Sequence, residues 1–216
     1  FIGVVSKKDI NHNQLKLSNE IQTCRGPDEI KFFEKKLNST NQNVEFRSSF
    51  IFNRLSIQDL TSTGSQPMYS EKNNTLLMFN GEIYNFKELK KELKDHGHEF
   101  QSEGDTEVLL AGYKIFGKEI LHKLIGQFAF VIADFKKRTI FMARDRIGLK
   151  PLYYSINENH LVFSSELNAI QKSGMVNFSP NKEGYLSYLR HLAIPGDETG
   201  NPVSYTHLRA HETILD

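Results

Sequence analysis

The sequence is poor in the residues that would cross-link it or bind a structural metal. It contains one cysteine in 216 residues, which excludes an internal disulfide, and no cysteine and histidine cluster has zinc-site spacing. A surplus of one charge is also lacking, because 27 basic and 26 acidic side chains leave a formal charge of +1. That balance argues against a nucleic-acid-binding module. No apolar run approaches the roughly 18 residues of a membrane helix, so we expect a cytoplasmic protein with no nucleic-acid or membrane partner.

Apolar residues are nevertheless plentiful. Hydrophobic residues make up 38% of the chain and include 16 phenylalanines, which is enough for a substantial core and excludes wholesale disorder. The length fits one large domain or one and a half ordinary ones.

The two ends of the chain differ in pattern. Residues 1–5 are apolar and mostly β-branched, which predicts a core strand at the first residue and a segment removed or lost upstream. The last residues follow the breaker-rich stretch 195–200, show no period of 2 or 3.6, and resemble translated sequencing-adapter read-through. A genuine linker is the alternative. We therefore expect one domain over 1–200 and a tail without function over 201–216.

Hydrophobic periodicity predicts strands and helices in blocks. Strands are expected at 44–56, 75–79, 127–135, 139–143, 151–156 and 161–163. Helices are expected after an Asn85 to Glu88 capping box, from 105 to about 116, and from Ser165. Along 127–135 phenylalanine or isoleucine alternates with alanine or valine, so both faces of that strand are apolar. Antiparallel strands buried on both faces predict stacked sheets between layers of helices.

Polar residues stand where several of these strands end. Arg54 could grip a carboxylate in bidentate fashion, or be an exposed cation. Asn80 and Gly81 offer an amide and an N–H for an oxyanion, or form an ordinary hairpin turn. Asp105 could bind an ammonium group with Glu82, or cap its helix. Together these groups suit a free amino acid with a side-chain carbonyl, but the set lacks a nucleophile.

The strand-end residues belong to longer motifs. These are Arg-Gly-Pro-Asp-Glu at 25–29, Arg-Leu-Ser-Ile at 54–57, Phe-Asn-Gly-Glu-Ile-Tyr-Asn at 79–85, Gly-Asp-Thr-Glu-Val-Leu at 104–109, Gly-Gln-Phe-Ala-Phe at 126–130, Ala-Arg-Asp-Arg-Ile-Gly-Leu-Lys-Pro-Leu-Tyr at 143–153 and Ser-Ser-Glu at 164–166. In this order, across residues 1 to about 200, they resemble the glutamine amidotransferase domain of glutamine-hydrolysing asparagine synthases, a member of the N-terminal-nucleophile hydrolases. The forms at 80–85 and 144–153 favour the asparagine synthase branch over sugar-phosphate or phosphoribosyl amidotransferases.

The resemblance implies an α+β fold, a four-layer αββα sandwich, and a role for each site residue. Arg54 would bind the α-carboxylate of L-glutamine, while Glu82 and Asp105 would hold its α-ammonium group. The Asn80 side chain and the Gly81 N–H would form the oxyanion hole, and the backbone of Leu55, Ser56, Ile57 and Gln58 would line the pocket. Glutamine would give a γ-glutamyl thioester and ammonia, and water would release glutamate.

The resemblance also implies partners. Ammonia would pass to a C-terminal synthetase domain that activates aspartate with ATP and magnesium, whereas this domain needs no cofactor or metal of its own. A homodimer is common in the family, and relatives with this half amidate other acceptors.

Two features depart from the family pattern. The family nucleophile is an N-terminal cysteine whose own α-amine acts as base, and alignment places it two residues before Phe1, so we expect an inactive, truncated chain. Cys24 stands where the family has histidine and is internal, so a structural thiol is expected. The charged residues Arg144, Asp145 and Lys150 are expected to form a structural ion pair rather than a catalytic group.

Two alternatives to a working glutaminase remain. One is a synthetase of the β-lactam synthetase type, which keeps this fold without glutamine hydrolysis. The other is a non-catalytic glutamine-binding module, which would bind glutamine without a partner domain.

Overall fold

Two antiparallel sheets stack face to face and carry helices on their outer faces. The computed structural model describes residues 1–38, 45–56, 62–177 and 211–214, with the single positions 186 and 189. Within them the layers follow the order helix, sheet, sheet, helix. This arrangement confirms the α+β sandwich predicted from the sequence.

The first sheet contains the strand that opens the chain. Its strands are β1 (Ile2–Ser6), β2 (Glu29–Asn38), β3 (Glu45–Arg54), β8 (Tyr153–Ile156) and β9 (His160–Ser164). They lie in the order β2-β3-β1-β9-β8, so β1 pairs with β3 on one side and β9 on the other. The charged strand β2, at the edge of this sheet, is an element that the sequence pattern did not reveal.

The second sheet is built around the apolar hairpin. Its strands are β4 (Met68–Ser70), β5 (Thr75–Ile83), β6 (Gly126–Asp134), β7 (Thr139–Arg144) and β10 (His211–Ile214). Their order is β10-β7-β6-β5-β4, and every pairing is antiparallel. The strand β10 lies beyond residue 200, and the proposed division of the chain at that residue stays a prediction.

Helices cover both outer faces. They are α1 (His12–Glu20), α2 (Phe86–Asp95), α3 (Asp105–Phe116), α4 (Ile120–Lys123) and α5 (Leu167–Lys172). Side chains of α1 and α5 pack against the first sheet, and those of α2, α3 and α4 pack against the second. A third cluster, rich in phenylalanine, fills the space between the sheets.

The hairpin of β6 and β7 is buried on both faces, as its sequence predicts. Val131 belongs to the cluster between the sheets, whereas Phe130 and Ile132 belong to the cluster under the helices. All three side chains are fully buried. A strand that contacts two cores has no solvent-exposed face, which explains the absence of polar alternation.

The turn predicted at Asn80 and Gly81 is wrong. Strand β5 continues through both residues to Ile83, and β6 pairs with it along its whole length, down to Ile83 opposite Gly126. Gly81 has φ 154°, and a Cβ there would lie 2.2 Å from the carbonyl oxygen of Gln127. The glycine is therefore required by the close approach of β6 and not by a hairpin turn.

The predicted capping box at the start of α2 is wrong, although the helix is present. Asn85 is the N-cap residue, but its side chain makes no capping hydrogen bond. Its amide instead donates to the carbonyl of Lys123 at 2.8 Å and accepts from the N–H of Ile125 at 2.9 Å. Asn85 thus joins α2 to the segment that leads into β6.

Candidate active site

The predicted site residues converge on one cavity of about 360 Å³. Its wall is formed by the start of β1, the ends of β3 and β5, and the start of α3. Every predicted site residue in the described part of the chain lines it, namely Arg54, Leu55, Ser56, Asn80, Gly81, Glu82 and Asp105. The remaining two, Ile57 and Gln58, lie outside the described residues. The individual roles of all nine stay predictions.

Arg54 is the last residue of β3 and is 8% exposed, so it is not a solvated cation. Its Nη1 lies 3.5 Å from Oε2 of Glu29, which is its cross-strand partner in β2. A buried guanidinium on a cavity wall is well suited to a carboxylate, because Arg presents several N–H donors in a fixed plane.

The main chain beyond Arg54 is held by the Arg-Gly-Pro-Asp motif. The N–H of Asp28 donates to the carbonyl of Arg54 at 3.0 Å, and the Asp28 carboxylate accepts the N–H of Ser56 at 2.7 Å. Gly26 allows this approach, since a Cβ there would lie 2.3 Å from the carbonyl oxygen of Asn53. The motif therefore shapes the cavity wall at Leu55 and Ser56.

The N–H of Gly81 points away from β6. Main-chain N–H groups alternate in direction along a strand, and those of Phe79 and Ile83, two residues to either side, donate to side chains outside the sheet ladder. The register partner of Gly81 is Phe128, whose own N–H and carbonyl both bond to Asp145. The alternation therefore places the Gly81 N–H on the same side of β5 as Gln66 and Asp105, which both line the cavity.

Asp105 is the first residue of α3 and is buried against the end of β5. Its Oδ2 accepts the N–H of Ile83 at 2.9 Å. Burial raises the pKa of Asp105 to about 6, main-chain N–H groups of Ile83, Asp105 and Thr106 oppose the rise, and the charge of Glu82 adds to it. The N-cap of α3 is Gly104, so Asp105 is not the capping residue; its carboxylate accepts main-chain N–H groups and also lines the cavity.

The main chain of Phe1 forms part of the cavity wall. Its ammonium group donates to Oε1 of Gln22 at 3.0 Å and to Oγ of Ser165 at 2.8 Å. Its carbonyl accepts the N–H of Ser165 at 3.0 Å and the hydroxyl of Ser164 at 2.9 Å. The start of β1 is thus fixed at the cavity.

Cys24 is exposed and lies in a short 3₁₀ turn, Thr23–Arg25. Its nearest hydrogen-bond acceptor is the carbonyl of Ile21 at 3.9 Å. Cys24 is not one of the described residues that line the cavity, although its neighbour Arg25 is.

The Arg144, Asp145 and Lys150 cluster is structural, but its contacts are to main chain rather than the expected ion pair. Asp145 accepts N–H groups of Phe128, Leu149 and Lys150 at 3.0 to 3.2 Å. Burial alone would raise the pKa of Asp145, but these N–H groups outweigh it, so the pKa lies below its usual value. Arg144 donates to the carbonyls of Lys150, at 2.6 Å, and Gly148.

Several polar residues of the cavity wall were not predicted as site residues from the sequence. Gln22 and Gln66 are buried, and Lys150 also contributes to the wall. Lys150 stands in a family motif, which was the one available signal, whereas neither glutamine belongs to a motif or to a predicted element.

The described residues contain neither a candidate metal cluster nor a membrane-spanning helix. No group of three His, Cys, Asp or Glu side chains there could hold a metal ion. No described helix is long and apolar enough to span a membrane.

Comparison with known proteins places this geometry in context. The chain matches the family model of the glutamine amidotransferase domain over residues 1–208. It is 35% identical over 207 residues to asparagine synthetase (glutamine-hydrolyzing) 1 of Bacillus subtilis strain 168, covering 92% of this chain and 30% of that protein. It is 36% identical over 122 residues to amidase chry2 of Gibberella zeae, covering 56% of this chain and 18% of that protein. The chain thus spans less than a third of the length of these relatives.

A solved structure shares the fold. The glutamine phosphoribosylpyrophosphate amidotransferase of B. subtilis superimposes with a TM-score of 0.62 over 80% of this chain and 43% of that one. The sequence identity is 20%, so the similarity concerns the fold alone.

Proposed function

The chain belongs to the family of glutamine amidotransferase domains, and on that premise we propose that its cavity binds L-glutamine for hydrolysis to glutamate and ammonia. One observation carries the proposal. A buried guanidinium, two carboxylates, a side-chain amide and an outward-facing N–H, drawn from distant stretches of the chain, line a single cavity. These groups complement the two ends of one amino acid.

Each charged group on the α-carbon of glutamine is proposed to pair with protein side chains of the opposite charge. Arg54 binds the carboxylate, and Glu82 with Asp105 binds the ammonium group, since all three line the cavity. The wall at Leu55 and Ser56 is fixed by Asp28, so it can define the depth of the pocket. Ile57 and Gln58 are proposed to continue that wall.

The side-chain amide is proposed to react at the Asn80 and Gly81 end. A thiolate attacks the amide carbon, a C–S bond forms, and the carbonyl electron pair moves to oxygen. The Asn80 amide and the Gly81 N–H stabilise that oxyanion. The oxyanion then collapses, the C–N bond breaks, and the leaving nitrogen takes a proton and departs as ammonia. Water adds to the thioester and releases glutamate and the thiol.

The nucleophile is proposed to be a cysteine two residues before Phe1, with its α-amine as the base. The start of β1 is held at the cavity by Ser164 and Ser165, so a residue two positions upstream has little chain to span. Cys24 does not line the cavity. Residues 1–216 alone are therefore proposed to bind glutamine without hydrolysing it.

The ammonia is proposed to serve an ATP- and magnesium-dependent synthetase domain that amidates aspartate. The similarity to the B. subtilis asparagine synthetase supports this branch. The chain is also similar to amidase chry2, so the identity of the amide acceptor needs a test. Amidation of aspartate by the intact protein would establish aspartate as the acceptor.

Two proteins test the glutaminase proposal. One is residues 1–216, and the other carries Cys-Gly before Phe1 after removal of the initiator Met. Calorimetry with L-glutamine should detect binding by both, and only the extended protein should release glutamate and ammonia. Hydrolysis by residues 1–216 that persists in Cys24→Ala would refute the assigned nucleophile, and absence of binding by both would refute the site.

A further inference from the structure

We infer that the adjacent residues Ser65 and Gln66 position the two ends of the glutamine site separately, Ser65 through Arg54 and Gln66 through Asn80 and Gly81. The inference rests on the proposed function and adds two positioning residues to it. Both side chains are buried, and neither residue belongs to a helix or strand.

Gln66 acts on the main chain of β5. Its Nε2 donates to the carbonyl of Phe79 at 3.0 Å, and its Oε1 accepts the N–H of Phe79 at 2.6 Å. Phe79 is the residue directly before Asn80. A side-chain amide thus holds both main-chain polar groups of the residue that precedes the proposed oxyanion hole.

The strand register explains why a side chain is used. In the pairing of β4 with β5, Met68 lies opposite Leu77, and the same register continued by two residues would place Gln66 opposite Phe79. Strand β4 begins at Met68, so Gln66 lies beyond its end and its main chain is not paired with Phe79 in the ladder. The Gln66 amide supplies one donor and one acceptor, the same pair that a strand residue would have offered.

Gln66 and Asp105 together bracket the Gly81 N–H. The N–H groups of Phe79 and Ile83 are fixed by Gln66 and Asp105 respectively, and the Gly81 N–H lies between them on the same side of β5. Fixing both neighbours sets the direction of the central N–H. Oxyanion stabilisation depends on such preorganised direction, because a donor that must reorient contributes less to the transition state.

Ser65 acts on the other end of the site. Its hydroxyl donates to Oε2 of Glu29 at 2.6 Å and accepts from Nζ of Lys31 at 2.8 Å. The same Glu29 oxygen lies 3.5 Å from Nη1 of Arg54. Because Lys31 donates to the serine oxygen, the serine proton is directed to Glu29, which holds that carboxylate beside the guanidinium.

The two residues should therefore affect different kinetic constants. An oxyanion donor acts mainly in the transition state, so misplacing it lowers kcat. The α-carboxylate is bound equally in the ground state and the transition state, so misdirecting Arg54 raises KM and leaves kcat unchanged. Substitution of Gln66 should therefore lower kcat, and substitution of Ser65 should raise KM. A general loss of stability would not produce this difference.

The experiment measures steady-state glutamine hydrolysis by the protein that begins Cys-Gly-Phe1. In Gln66→Met, kcat should fall by about 10- to 100-fold while KM changes by less than about threefold. In Ser65→Ala, KM should rise by about 5- to 10-fold while kcat stays within about twofold. The matched controls are Gln101→Met, at an exposed loop position, and Ser70→Ala, at the end of β4. Both should retain the parent constants.

A third variant separates positioning from folding. In Gln66→Glu the protonated carboxylic acid can still donate a hydrogen bond to the Phe79 carbonyl. The ionised carboxylate has no proton to donate and would repel that carbonyl oxygen. The ratio of its kcat to that of the parent should therefore fall by about tenfold from pH 5.5 to 8. Thermal unfolding and glutamine calorimetry on every variant report whether the protein and the rest of the site are intact.

Three outcomes overturn the inference. In the first, both variants change the same constant, and in the second, folded Gln66→Met and Ser65→Ala keep the parent constants. In the third, the kcat ratio of Gln66→Glu is independent of pH. Absence of hydrolysis in the parent protein is a separate result, since it refutes the proposed function and the inference with it.

Discussion

The carboxylate of Asp105 accepts the main-chain N–H of Ile83 at 2.9 Å, which fastens the start of α3 to the end of β5. The bond places a buried acid next to Glu82, on the wall that is proposed to receive an ammonium group. The pKa of Asp105, raised to about 6 by that burial, makes the site sensitive to mild acid.

Glutamine binding should weaken as the pH falls through 6. The ligand's ammonium group favours ionised Asp105, and at pH 5 a group with a pKa of about 6 is ionised in about one molecule in ten. Calorimetry should therefore show an affinity roughly tenfold lower at pH 5 than at pH 7, with proton release on binding near pH 6. Asp105→Asn should bind weakly at both pH values, and a wild-type affinity that is level from pH 5 to 7 would contradict the assignment.

Stability should change with pH in the opposite sense. The folded pKa of Asp105, about 6, lies above its ordinary value of 3.8, so the folded state binds more protons than the unfolded state between these two pH values. Its contribution to the free energy of unfolding is full below pH 3.8 and is lost as the pH rises through 6. Denaturant titrations of the wild type and Asp105→Asn from pH 4 to 7 isolate this contribution as a difference that changes across that window.

Arg54→Lys should weaken glutamine binding despite preserving the charge. The ammonium of lysine is a point charge that cannot offer two parallel donors to a carboxylate. The dissociation constant should rise by about tenfold or more, because charge-assisted bidentate bonds are among the stronger hydrogen bonds. Arg146→Lys, on an exposed loop, is the control and should bind like the wild type. Equal affinity of Arg54→Lys and wild type would remove Arg54 from the site.

Gly81→Ala should destabilise the fold as well as the site. Its φ of 154° and the 2.2 Å approach to the carbonyl of Gln127 leave no room for a Cβ. The free energy of unfolding should fall by about 3 kcal/mol or more. Gly97→Ala is the control without a close contact, since Gly97 also has a positive φ of +82° but no atom within 4 Å of the added Cβ, and it should cost about 1 kcal/mol. Similar losses for both would show that the contact with β6 is unimportant.

Cys24 should be reactive but dispensable. It is exposed, so a thiol reagent should modify it in the folded protein without denaturant. Cys24→Ala should leave glutamine affinity unchanged, and in the Cys-Gly extended protein it should leave hydrolysis unchanged. A large loss of activity in that variant would return Cys24 to the list of candidate nucleophiles.

The elements that sequence reasoning found are those with a strong local pattern. The two apolar faces of β6 and the helix beginning at Asp105 follow directly from side-chain periodicity. The convergence of Arg54, Asn80 and Asp105 came from motifs arranged in family order. Their common cavity confirms that they lie together, whereas their roles await the experiments above.

The misses have physical causes. In β2, Ile30 and Phe32 are exposed and Phe33 faces inward, so consecutive phenylalanines break the alternation that identifies a strand. At Asn80 and Gly81, a dipeptide that favours turns is overridden by pairing with β6. Gln66 forms hydrogen bonds with a residue 13 positions away, and local sequence patterns do not predict a contact over that separation.

The position of β1 between β3 and β9 has a consequence for synthesis on the ribosome. The opening strand obtains its first neighbour once residue 54 has emerged, but its second neighbour ends at Ser164. Ser164 and Ser165 are also the residues that hold the Phe1 carbonyl. The first strand of a nascent domain therefore cannot complete its pairing until β9 has been synthesised. Contacts between residues so far apart in the sequence form slowly. The proposed glutamine site would then be completed only after β9 has been made.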